Sequence, residues 1–100
     1  MGFFNAMSSI GKINKLIEDL ENQTFITKSN VDLNVPVSSL KNCLNVHKSI
    51  HQQMIDTFGA SAGARHAVYK LFGVKVRMHD VLSLSKKLAE DLSKIIQERS

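Results

Sequence analysis

A heptad in the first twenty residues constrains this chain more than any other feature. Phe3, Ala6, Ile10, Ile13, Ile17 and Leu20 follow one another at steps of three, four, three, four and three. That spacing keeps one apolar seam on a single side of a helix, so it describes a surface that meets other helices. Each Ile or Leu buried there contributes roughly 1.5–3 kcal/mol, which outweighs the cost of about 1 kcal/mol that Gly11 imposes inside a helix. The spacing predicts a first helix from about Gly2 or Phe3 to about Asn22. Glu18, Asp19 and Glu21 crowd its C-terminal end, where the helix dipole disfavours carboxylates. They are expected to answer Lys12 and Lys15 one turn back, or a basic surface elsewhere.

From Gln23 to Val37 the helical period is lost. Val31, Leu33, Val35 and Val37 alternate with Asp32, Asn34 and Pro36, which reads as an extended connection laying alternate side chains on the bundle. Pro36 biases Val35 away from helix, so the second helix is expected after it, capped by Ser38 or Ser39 and running to Phe58, with Gly59 as its stop. Two seams fit this helix. One is Leu40, Leu44, His47, His51, Met54 and Phe58; the other is Leu40, Cys43, His47, Ile50 and Met54. A short third helix is expected within Ala60 to Phe72, apolar at Ala64, Ala67, Val68, Leu71 and Phe72, with Gly73 ending or bending it. The last helix spans about Lys75 to Glu98. Its stripe is Met78, Val81, Leu84 or Leu88, Leu92 and Ile95, with Val74 and Val76 at its start. Lys86, Lys87, Glu90, Asp91, Lys94 and Glu98 lie opposite.

Composition agrees with the periodicity. Aliphatic residues dominate a hydrophobic share of 43%, there is no Trp, and only 6% of residues are aromatic. Such a makeup favours knobs between helices over a sheet. The chain of 100 residues is long enough for one domain, residues 1–100, with the extended connection at about 23–37. The expected fold is all-α, an antiparallel helical bundle of three long helices and one short one.

A single cysteine excludes an intrachain disulfide and fits a reducing compartment. The first dozen residues do not read as a secretory leader, and no apolar run is long enough to span a bilayer, so a cytoplasmic location is expected. Phe3, Phe4 and Met7 form an apolar tip that could meet a membrane surface, but no cation precedes Lys12, and packing on the bundle is the ordinary reading.

The net charge of +4 is uneven. Residues 1–59 balance five lysines against five acids, whereas residues 60–89 carry Arg65, Lys70, Lys75, Arg77, Lys86 and Lys87 against Asp80 alone. A basic block of this kind faces solvent, an acidic partner or nucleic acid. The stretch from Arg65 to Leu82 can be laid over a helix-turn-helix, with Gly73 at the turn, Val68 and Phe72 inside, and Lys75, Arg77 and His79 toward phosphate. Tyr69 and His79 fit that pattern poorly, since it asks for a small residue and a buried aliphatic at their positions.

Few residues suggest chemistry. Cys43, His47 and His51 lie one turn apart on the second helix, a spacing from which histidines can share a metal, with Asp56, His66 or His79 as remote completions. No glutamate follows in the His-Glu-x-x-His manner, and Lys48 is an unwelcome neighbour for a cation. No metal or other cofactor is expected. Cys43 could use His47 as a base, but a cysteine inside a helix seam lacks the electropositive, accessible setting of a nucleophile. Gly59 to Ala64 has no Lys-Ser/Thr ending and no preceding strand, so it is no phosphate loop.

The chain therefore reads as a helical module without catalytic activity that binds another protein, as a homodimer. A seam of about 20 residues is roughly 30 Å long, more than a small monomer is expected to cover alone. Phe3, Ile10, Ile17, Met54 and Phe58 are the expected interface or core contacts. The alternative is a basic helical regulator that meets nucleic acid through residues 65–87, with Arg65, Lys70, Lys75 and Arg77 as its contacts.

Overall fold

A computed structural model describes residues 2–59 and 69–100, with side chains described from Ile10 onward. The chain is an all-α antiparallel bundle, and no strand occurs among the described residues. Helix α1 spans Gly2–Asp32, α2 spans Val37–Gly59 and α3 spans Val74–Arg99. Residues 69–71 are helical and close on a turn at 72–73. The rest of the expected short helix, including Arg65, lies outside the described residues.

Helix α1 corrects the expected extended connection at 23–37. It continues ten residues past Asn22 because the heptad does not stop there. The buried series Ile10, Ile13, Ile17, Leu20, Thr24 and Thr27 keeps the three-four step, and half-buried Val31 extends it. The seam positions turn from aliphatic to threonine, which hides the period while the geometry persists. Thr24 tolerates the interior by donating to the Leu20 carbonyl one turn back, at 2.8 Å. The true stop is Asn34, left-handed at φ 55°. The Asn34 amide donates to the Val31 carbonyl and the Val35 amide to that of Asn30, the paired closure of a Schellman motif. Pro36 follows at once. Its carbonyl accepts from the Ser39 and Leu40 amides, so α2 begins at Val37 rather than after a serine cap.

The second of the two candidate seams is the one α2 buries: Leu40, Cys43, His47, Ile50 and Met54. Leu44 and His51, of the other seam, are half-buried. In α3 the buried set is Val74, Met78, Val81, Leu82, Ser85 and Leu92. Ser85 takes the seam position expected of Leu84, which is exposed, and Val76 is also exposed. Gly73, at φ 69°, turns the chain into α3, and its carbonyl accepts from the Arg77 amide. A side chain at that φ would be strained, which is why glycine stands there.

Side-chain pairs give the directions. Thr27 meets His47 and Asn30 meets Cys43, so α1 and α2 run antiparallel. His47 meets Ser85, and Arg77 of α3 donates to Asn14 of α1 at 3.0 Å, so α3 runs back along α2 and beside α1. Arg99 closes one end by donating to the Val35 carbonyl at 2.6 Å. Lys15 and Asp19 form an ion pair of 3.3 Å across one exposed turn, the expected answer to that acidic cluster.

The interior has two parts. A large core gathers Ile10, Ile13, Leu16, Ile17, Leu20, Ile50, Met54, Tyr69, Val74, Met78, Val81 and Leu82, with Phe58 packed on it. A small core holds Leu40, Cys43 and Leu92, with half-buried Val31, Val35, Leu44, Ile95 and Ile96 around them.

Candidate functional site

Between the two cores lies a polar layer built from one residue of each helix. Thr27 of α1, His47 of α2 and Ser85 of α3 are all buried, His47 to 1% exposure. The His47 ring spans the gap: Nε2 lies 2.8 Å from Thr27 Oγ1, and Nδ1 lies 3.0 Å from Ser85 Oγ. A neutral imidazole donates from one nitrogen and accepts at the other, and a hydroxyl can do either, so both bonds are made in either tautomer. No buried side-chain nitrogen or oxygen among the described residues lacks a partner. Burial removes the ring from water and holds its pKa below the ordinary value of 6.5, so His47 is neutral near pH 7.

Above this layer, toward the α1–α2 turn, Asn30 Nδ2 donates to Cys43 Sγ at 3.2 Å. The buried thiol is thus held between two helices instead of facing solvent. Beside the layer, α2 and α3 part into an open groove of about 550 Å³. His47 and Ser85 form its floor, Leu44 and Ala89 its apolar wall, and Lys48, His51, Lys86 and Glu90 its rim.

The spacing Cys43, His47, His51 does not become a ligand set. Cys43 and His47 point into the seam and are bonded to Asn30, Thr27 and Ser85, while His51 faces the groove. No group of three or more His, Cys, Asp or Glu side chains among the described residues is placed to hold a metal ion.

The expected contact residues fall inside the fold. Ile10, Ile17 and Met54 belong to the large core, and Phe58 stacks on Tyr69 with ring centroids 5.6 Å apart. Ile10, Ile17 and Met54 are buried core contacts and Phe58 packs half-buried against them; the Phe3 side chain lies outside the described residues, as do those of Phe4 and Met7. The α1 seam is covered along its described length by α2 and α3. Lys70, Lys75 and Arg77 are exposed. Two residues apart on a helix means about 200° around it, so Lys75 and Arg77 face different sides of α3, and Arg77 is turned toward α1. Phe72, an inner position of the helix-turn-helix reading, is exposed instead.

The periodicity did not flag one apolar group on the surface. Leu71, Phe72 and Val76 are 80%, 55% and 66% exposed, the first two just before Gly73 and the third in the first turn of α3, with exposed Lys70 and Lys75 next to them in the chain. The sequence pattern places Leu71 and Phe72 among the apolar positions of the short helix and Val76 at the start of the last one, and it does not distinguish inward from outward there. Phe25 and Leu33 are also exposed but stand eight residues apart on α1. No helix among the described residues is long and apolar enough to cross a membrane. Compared with protein families, curated proteins and solved structures, the chain finds no match.

Proposed function

We propose that this chain is a non-catalytic helical module that binds another protein through the end of the bundle where α3 begins. The observation that supports this reading is the exposure of Leu71, Phe72 and Val76, three large apolar side chains left in water within six residues of the chain. Small soluble domains bury such residues or spread them singly, and a contiguous apolar group rimmed by polar residues marks a contact site. Lys70 and Lys75 beside it favour a partner surface with carboxylates around an apolar centre. A non-catalytic role is supported by the commitments of the nucleophile and base candidates: Cys43 and both nitrogens of His47 are engaged in bonds between helices.

A second copy of the chain is the first partner to test. Sedimentation velocity from about 1 µM to about 200 µM covers the range in which a modest interface shows itself. Self-association through this end would bring the lysines of two copies together, so it is expected to strengthen with added salt, and the triple variant Leu71→Ser, Phe72→Ser, Val76→Ser is expected to abolish it with an unchanged helical circular-dichroism spectrum. If the chain stays monomeric, cross-linking in its native cell tests other proteins. A triple variant that keeps every cross-linked partner of the wild type would remove the proposal.

A further inference from the structure

We infer that Thr27, His47 and Ser85 form an acid-operated latch, in which protonation of His47 releases the small-core end of the bundle while the large core stays folded. One side chain ties α2 to both neighbouring helices here, with a bond of 2.8 Å to α1 and one of 3.0 Å to α3. An imidazolium donates from both nitrogens, so both hydroxyls would have to accept, and the one that had been donating must turn its proton to another acceptor.

No counter-charge waits for the protonated ring. From α1, the polar neighbours of the layer are Thr24, Thr27 and Asn30, while Lys28 and Asp32 line grooves on the α1–α3 side together with Lys87 and Asp91 of α3. From α2 come the Cys43 thiol, Lys48 and His51; from α3 come Ser85, Lys86 and Glu90. Cationic and potentially cationic groups on the groove rim outnumber the single carboxylate. A charge appearing on His47 is therefore buried against two hydroxyls, with no carboxylate bonded to the ring. The groove floor is His47 and Ser85 themselves, which gives water and protons a short way in.

The two cores decide which end yields. Among the described residues the large core has twelve buried members, and the small one has three with half-buried neighbours. Local opening follows the weaker packing. The sign follows from the ring's lowered pKa in the folded state. The open state takes up a proton as pH falls through 6.5, before the closed state does. Opening thus becomes more favourable by up to about tenfold per pH unit below about 6.5, and levels off beneath the folded value.

Residue-resolved amide exchange at about pH 7.5 and about pH 5, corrected for intrinsic rates, tests the latch. The Leu40, Cys43 and Leu92 amides are expected to lose protection relative to those of Ile17, Met54 and Met78 at the lower pH, by up to about thirtyfold. The change should vanish in His47→Gln and persist in His51→Gln. If His47→Gln does not fold, the loss of protection at Leu40 and Leu92 in the wild type must begin near pH 6.5 and level off where the His47 ring resonances titrate. Unchanged relative protection, equal loss at both ends, or a response abolished by His51→Gln would overturn the inference.

Discussion

The two ends of α1 share one helix and one seam, yet they hold the bundle in different ways. Between Ile10 and Leu20 the seam is aliphatic, and its partners Ile50, Met54, Val74, Met78 and Val81 are buried with it. Between Thr24 and Val31 the same steps carry hydroxyls, an amide within one turn, and a small half-buried cluster. Aliphatic knobs stabilise through area and are tolerant of partner. A layer of Thr27, His47 and Ser85 contributes little net stability, because its bonds replace bonds to water. What it supplies is register: sliding any helix by a turn would leave buried hydroxyls and a ring nitrogen unpaired. One end gives the bundle its strength, and the other fixes its alignment.

Truncation on each side gives the largest expected contrast. Ile17→Ala is expected to cost about 3–4 kcal/mol in urea unfolding, and Leu92→Ala about 2–3 kcal/mol, since neighbours that are already half-exposed can relax into the gap. Equal losses would erase the distinction. Next comes the layer itself. His47→Ala should cost about 2–3 kcal/mol by leaving a cavity and two unmatched hydroxyls. The joint replacement His47→Leu, Thr27→Val, Ser85→Ala should lie within about 1 kcal/mol of wild type, or above it, while losing register specificity. A joint variant as weak as His47→Ala would mean that the layer contributes stability and not only alignment.

The pH profile sharpens the same point. With the His47 pKa lowered by burial, its contribution is fully present above pH 6.5, and stability declines as pH falls through 6.5 until the folded value is passed. Chemical denaturation across that window should show the decline in wild type and less of it in His47→Gln. The smallest effect lies at the α1 stop. Asn34→Gly relieves the left-handed backbone at φ 55° and should raise stability by a few tenths of a kcal/mol.

The helical class, the α2 boundaries to within two residues, and the α3 span were legible because aliphatic residues recur at helical steps. So was one of the two candidate α2 seams, which already contained His47. The last ten residues of α1 were not legible. Thr24 and Thr27 occupy seam positions with residues that prefer strands and turns when read singly, and the alternation around Val31 and Val35 imitates a strand. The polar layer was equally hidden. Nothing local distinguishes Ser85 from the exposed Ser83 two positions earlier; only the level at which α3 passes His47 does. Leu71, Phe72 and Val76 flank the left-handed turn at Gly73, where neither neighbouring helical step pattern applies. Step patterns record which residues can be buried, and tertiary level decides which of them are.

Long-range ¹⁵N–¹H spectra of the imidazoles test the neutral bridge between Thr27 and Ser85 most directly. At neutral pH His47 should show one protonated and one unprotonated nitrogen, in slow exchange between tautomers, and should begin to titrate only below the ordinary histidine value. Two nitrogens averaged by rapid exchange with water, titrating at about 6.5 like a free histidine, would contradict a ring buried between three helices.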